Sequence, residues 1–448
     1  MNGRLHKAWR WGLLALPYLI CLGLFIFVAL LRVDLDFGWH YRTGQYIFAH
    51  GIPYHDIYTY TARDFAWINH EWLNDVLVFV VKRWLGWPAL AVLFAGMWAL
   101  ALGLATLWRL PWPMAALALL ALLPYVGVRP IAWSALLFAL VLSAVRRPGA
   151  VQRLWWLPPV FALWANLHGG FILGLAVLGV YAVVRRSWRM GVLALLCGAA
   201  AGLNPYGFNV YVEIWRTLSD GRLHSFITEW APLTLSWANA GLMAGAVVVL
   251  ALRADWATRL IGGGLLLSCL SSNRQAVFVV VAMLGPLAEA YRWGLVRLER
   301  RLPAVGGWLP GVAGAVGGLA LLGALVAPPA SSGQRVVAPS QAVISLEQQP
   351  CAGHVFNDYD FGGYLIGRRP TEPVYIDGRM PSWSGPEGRY LDRWLRVLQD
   401  PGYADSEFAR YNVRCVLIRN SRTTLMKHLR ATGWRVTARD EGSALWRN

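Results

Sequence analysis

The succession of apolar runs between residues 11 and 329 constrains this chain more than any other feature. A helix needs about 20 apolar residues to cross a hydrocarbon layer of roughly 30 Å. Stretches near that length fall at 11–31, 88–107, 112–126, 130–145, 154–167, 170–184, 190–203, 238–252, 257–271, 274–290 and 305–329. They predict a polytopic α-helical membrane protein with about 11 transmembrane helices, or an even count if 73–85 also enters the bilayer. Of 448 residues, 57% are hydrophobic and 15% charged, which is membrane composition. The 25 tryptophans suit interfacial anchors. The first run, "WGLLALPYLICLGLFIFVALL", is long for a signal peptide and lacks a small-residue cleavage site, so it reads as a retained helix.

The net charge of +17 is distributed as a topology signal, and no nucleic-acid module accompanies it. With "MNGRLHKAWR" on the cytoplasmic side, alternate loops carry "WRLPWP", "RRPGAVQR", "RRSWR", "RADWATR" and "RWGLVRLERR". Arginine bias over short loops marks the inner face and also draws anionic lipid. The outer face then receives the 32–87 loop, "VGVRP", "NLHGG", the 204–237 loop, "SSNRQ" and the tail. Within the first loop, "WINHEWLNDVLVFVVKRWLGW" reads as a helix lying in the interface. Its Asn74, Asp75, Lys82 and Arg83 would point to water.

Composition changes near 330, where "APPASSGQRVVAPS" reads as a linker. Strand-like "HVFND", "PVYIDG", "VRCVLI" and "WRVTA" are interleaved with helical "RYLDRWLRVLQD" and "TTLMKHLRAT". That alternation predicts a small C-terminal α/β extracytoplasmic domain over 331–448, after a membrane domain over 1–330 that includes the loop 32–87. No GxGxxG or P-loop is present. Cys21, Cys197 and Cys269 fall in apolar runs as small core residues. Cys351 and Cys415 would form a disulfide in an exported tail, or Cys415 is simply buried in a strand.

The chemistry concentrates in "RVDLDFGWHYR". Asp34 and Asp36 stand at i, i+2 and share a face in an extended segment. His40 and Arg42 follow, and Asp56, His70 and Glu71 lie further along the same loop. The ordinary alternative is that loop carboxylates beside a membrane are charged because they are wet. So many ionisable groups at a bilayer mouth favour a site instead. Two roles fit: a general base for an attacking acceptor, or Asp34 and Asp36 holding Mg²⁺ or Mn²⁺. Arg129 and Arg274, near outer ends of spans, have the chemistry to grip a phosphate bidentately, or else they snorkel as anchors. Asn166 and His168 sit on a short outer turn that needs neither side chain, and so join the candidate donor site. Asn204 reads as a cap or turn residue, and His224 and Glu229 are further candidates.

The segments "DFGWHYRTGQYIFAHGIPYHDIYTYTARDFAWINHEWL", "WANLHGGFILG", "GLNPYG" and "FNDYDFGGYLI…PVYIDGR" resemble bacterial membrane proteins related to the GT-C glycosyltransferases. The resemblance implies a polyprenyl-phosphate-linked sugar donor, work on the outer face of the inner membrane, and an acid in the first long loop. In this chain that acid is Asp34 or Asp36, with His40 and Glu71 beside it. The tail lacks a WWDYG-type acceptor motif, so the acceptor stays open among glycan, lipid and protein. Asp358, Asp360, Asp377 and Arg379 look like part of the same signature. The competing readings are a transporter or flippase of lipid-linked saccharides, and a non-catalytic scaffold of a polysaccharide assembly complex. A transporter predicts ionisable groups deep within spans, whereas here they gather in outer loops.

Overall fold

A computed structural model of the chain describes residues 2–147, 149–223, 227, 230–233, 237–301 and 338–448. The expected span 305–329, most of the linker, His224 and Glu229 lie outside the described residues. The chain divides into two compact units, one of residues 1–33, 85–210 and 221–333, the other of residues 34–84, 211–220 and 334–448. The loop assigned by sequence to the membrane domain therefore groups with the C-terminal residues.

The first unit is helical. Its helices include Ile131–Arg146, Leu157–Leu167, Phe171–Val184, Trp188–Ala201, Trp237–Leu252 and Gln275–Arg301. Small side chains let them approach closely: a β-carbon on Gly174 would press into Trp164 and Phe161. Among the described residues, two helices are long and apolar enough to cross a membrane, Trp72–Thr106 and Gln275–Leu298. The other apolar helices are shorter, 10–17 residues, so length alone does not support eleven spans. Punctuation shortens them. Proline occupies the first turn of Trp112–Leu122 and of Leu157–Leu167, and Gly170 and Gly202 sit at helix ends. The stretch Trp72–Thr106 is itself broken at Gly86, whose φ of 80° only glycine adopts easily.

The second unit has a four-stranded sheet, ordered His354–Asn357, Val413–Arg419, Ser443–Arg447, Arg435–Arg439. The first pair is parallel, with Val355 beside Cys415, and the other pairings are antiparallel. Helices Tyr390–Gln399 and Thr423–Ala431 form where the sequence places them. The segment "PVYIDG" does not join this sheet. Val374 instead bridges Thr59 of the first loop, and the Asn357 side chain bonds the Tyr375 N–H and the Ile376 carbonyl that follow it.

Cys415 lies in a strand and is also disulfide-bonded to Cys351, so both readings of it hold. The bridge closes 64 residues, which restricts the unfolded chain. Replacing both cysteines with serine is expected to cost about 4 kcal/mol of stability. The check is thermal unfolding of the purified protein, where a midpoint equal to wild type would contradict it.

Candidate functional site

Asp34 and Asp36 shape the entry to helix Phe37–His50. Asp34 Oδ1 accepts from Asp36 N–H at 2.9 Å, and the Asp34 carbonyl accepts from Phe37 N–H. This is a side-chain turn placed directly before a helix. Both aspartates are half-buried. The Asp36 carboxylate lies against two glycines of the tail signature. A β-carbon on Gly378 would stand 2.5 Å and 2.6 Å from its two oxygens, and one on Gly363 would stand 2.8 Å from Oδ1. Helix Phe37–His50 packs against Gly362–Arg368 through Gly38, Gly363 and Gly367, where no β-carbon fits. Arg42 closes the contact, its guanidinium donating to the Gly367 carbonyl at 3.1 and 2.9 Å.

One turn into that helix, His40 is 6% exposed and its Nδ1 lies 2.6 Å from Asp75 Oδ1. Asn69 donates to Asp75 Oδ2 at 2.8 Å. Glu71 lies 3.8 Å from His40 Nε2 and 3.7 Å from His70 Nε2. Asp75 and Asn74 are thus buried, at 0% and 1% exposure, and do not point to water as their place on a polar helix stripe implied. The stripe turns inward because His40, Asn69 and the first loop supply partners that water would otherwise supply. Lys82 follows it, its ammonium over the Phe37 and Tyr41 rings, while Arg83 is exposed.

Burial alone would lower the His40 pKa, but Asp75 outweighs it, with help from Glu71 and Asp36, and the net shift is upward. The folded protein therefore holds this proton more tightly than the unfolded chain does. The stabilisation is complete below the ordinary value of 6.5 and is lost as pH rises through the raised folded value. The wild-type melting midpoint is expected to fall as pH rises above 6.5, and His40→Gln to fall less. Parallel curves for the two proteins would contradict this.

The remaining signature residues hold the unit together. Arg379 donates to Asp377 Oδ1 and Oδ2 at 2.8 and 2.7 Å and to Asp56 Oδ1 at 2.7 Å. Its guanidinium lies 4.8 Å from the Tyr58 ring centre, 4.4 Å from Trp67 and 5.3 Å from Trp383. Burial opposes its charge, yet the two carboxylates raise its pKa further. Asp358 pairs with Arg422 at 2.8 Å, and Asp360 with Arg419. Arg389 pairs with Asp220 of the short segment Tyr211–Asp220, tying that segment in as well.

The residues proposed to grip the donor lie in the other unit. Asn166 gives its amide to the Ala162 and Leu203 carbonyls, and Asn204 gives its own to the Ala165 carbonyl, so "WANLHGG" and "GLNPYG" are tied together. Asn204 Oδ1 also accepts from Tyr206 N–H, as a turn residue does. His168 Nδ1 lies 2.6 Å from Ser134 Oγ and accepts from Gly170 N–H. Arg129 and Arg274 sit on turns joined by the Tyr125 hydroxyl, which donates to the Asn273 carbonyl at 2.7 Å. Arg274 also lies 5.4 Å from the Trp230 ring centre.

The structure thus brings Asp34, Asp36, His40 and Glu71 into one unit and Arg129, Arg274, Asn166 and His168 into the other. Sequence reasoning turned Asp75 toward water and gave Asn69, Gly363 and Gly378 no individual role. Only the short-range "INHEWLND" spacing carried a signal for the first two. No group of three His, Cys, Asp or Glu that could hold a metal occurs among the described residues.

No protein-family model and no curated protein sequence matches the chain. Solved structures do. The Archaeoglobus fulgidus oligosaccharyltransferase in its apo form superposes with a TM-score of 0.58 at 13% identity, over 92% of this chain and 70% of that one. The same enzyme tethered to an acceptor peptide containing the NVT sequon gives 0.56 at 14%, over 90% and 69%. ArnT from Cupriavidus metallidurans, bound to undecaprenyl phosphate, gives 0.52 at 16%, over 97% and 98%. At these identities the likeness is one of fold alone.

Proposed function

We propose that this chain is a membrane glycosyltransferase that takes a sugar from a polyprenyl-phosphate-linked donor. The observation that carries the proposal is the fold match along nearly the whole length of both chains to ArnT, whose structure holds undecaprenyl phosphate. The acceptor is an extracytoplasmic glycan, lipid or protein. In this reading the shorter apolar helices cross the bilayer along with the two long ones. The basic loops face the cytoplasm of a bacterial inner membrane, and residues 338–448 face outward.

Asp36 is the general base. It takes the proton from the acceptor hydroxyl or amide as that atom bonds to the anomeric carbon, and the donor phosphate leaves with the electron pair of the broken bond. Half-burial at a helix entry leaves Asp36 reachable. Asp34 shapes the turn that presents it. His40 and Glu71 act through position, because His40 is 6% exposed and committed to Asp75. Arg129 and Arg274 have the guanidinium chemistry to bind the donor phosphate, and Asn166 and His168 are further donor-binding candidates. A divalent ion at Asp34 and Asp36 would need further oxygen ligands.

The test uses purified protein in lipid nanodiscs with radiolabelled undecaprenyl-phosphate hexoses and membrane extract as acceptor. Label should leave the undecaprenyl-phosphate-linked donor with wild type and stay on it with Asp36→Asn. Undiminished transfer by both Asp34→Asn and Asp36→Asn would sink the assigned role.

A further inference from the structure

The two glycines under Asp36 belong to different parts of the tail. Gly363 lies in the first turn of helix Gly362–Arg368, and Gly378 lies in the turn between Asp377 and Arg379. Neither has the positive φ that would itself require glycine. What requires glycine is space. A β-carbon on Gly378 would fall 2.5–2.8 Å from both oxygens and the carboxyl carbon of Asp36, and one on Gly363 would meet the Leu35 carbonyl and the Asp36 backbone.

The floor is also rigid. Asp377 Oδ1 accepts from Arg379 N–H, the Asp377 carbonyl accepts from Met380 N–H, and Arg379 is anchored on Asp56. The Tyr359 hydroxyl donates to the Gly378 carbonyl at 3.1 Å. Burial, then the Asp36 and Asp377 charges, hold that hydroxyl's pKa well above its ordinary value, so it stays a donor.

We propose that Gly363 and Gly378, with Tyr359 fixing the Gly378 peptide, are positioning residues that seat the Asp36 carboxylate for proton abstraction. The C-terminal residues then complete the catalytic loop in the same compact unit. This rests on the reading of Asp36 as the base. A carboxylate displaced by about 1 Å loses its alignment with the acceptor proton, which costs on the order of a hundredfold in rate.

The experiment measures kcat and donor KM in nanodiscs with radiolabelled undecaprenyl-phosphate hexoses. It compares wild type, Gly378→Ala, Tyr359→Phe, Asp36→Asn and the double variant Asp36→Asn/Gly378→Ala. Gly353→Ala is the packing control, since its β-carbon would strike Asn412 and Arg414 of the same unit and not Asp36 or its helix. The seat predicts that Gly378→Ala lowers kcat about a hundredfold at unchanged donor KM. Tyr359→Phe, which adds no atom, should lower kcat about fivefold, as expected for one lost hydrogen bond. Gly353→Ala should keep kcat near wild type, and the double variant should be no slower than Asp36→Asn alone.

If Gly378→Ala does not fold, Tyr359→Phe decides. Wild-type kcat in Tyr359→Phe, or in a folded Gly378→Ala, while Asp36→Asn is inactive, overturns the seat and leaves the base standing. Full activity in Asp36→Asn removes the base and the seat together, as does a wild type that releases no sugar.

Discussion

Asp36→Asn is expected to lower sugar transfer by about 10²–10⁴-fold, the usual contribution of a general base. Asparagine keeps the shape of the side chain against Gly363 and Gly378 but cannot take a proton at neutral pH. The loss should fall on kcat, with donor KM nearly unchanged, because the carboxylate acts on the acceptor as the new bond forms. Asp34→Asn is the informative companion. Its amide oxygen can still accept from Asp36 N–H, so the turn survives and the loss should stay under about tenfold. Equal, large losses in both variants would move Asp34 from the turn into the chemistry.

Arg379→Met should be the most destabilising single change in the second unit. It removes the counter-charge of Asp56 and Asp377, both buried, and leaves two carboxylates facing each other without solvent. Losing one partner of a buried ion pair costs about 3–5 kcal/mol. Three aromatic rings also surround the guanidinium, so lysine is a poor replacement: it offers neither the paired donors nor the flat stacking surface. Arg379→Lys is therefore expected to recover less than half of the loss. The check is thermal unfolding, together with protease sensitivity of residues 338–448. Because the pair joins positions 323 residues apart, cleavage should also increase in the loop 34–84. A stable Arg379→Met would contradict the assignment of this network to structure.

Local pattern made part of this legible. The apolar runs located the helices, the strand-and-helix alternation located the tail, and the chemistry-bearing stretch "DLDFGWH" stood out beside a membrane-length run. What stayed hidden was pairing over distance. Asp56 and Arg379 each stood out in their own segments, but nothing local pairs one with the other. Asp75 was misread for a related reason. Its place on a polar stripe predicts a polar surrounding, but whether that surrounding is water or a histidine depends on what folds over it. Gly363 and Gly378 stood inside the quoted tail segments, but their place under Asp36 stayed hidden, because the space a side chain would fill is not written in the glycine itself. The span count rests on hydropathy, whereas by helix length two of the described helices are long enough to cross on their own.

A structure of the protein with a non-hydrolysable undecaprenyl-phosphate sugar bound tests the central claim most directly. The account predicts the anomeric carbon within one acceptor atom of the Asp36 carboxylate, with the phosphate on arginine, Arg129 or Arg274. A donor whose anomeric carbon lies beyond the reach of both Asp34 and Asp36 would contradict it.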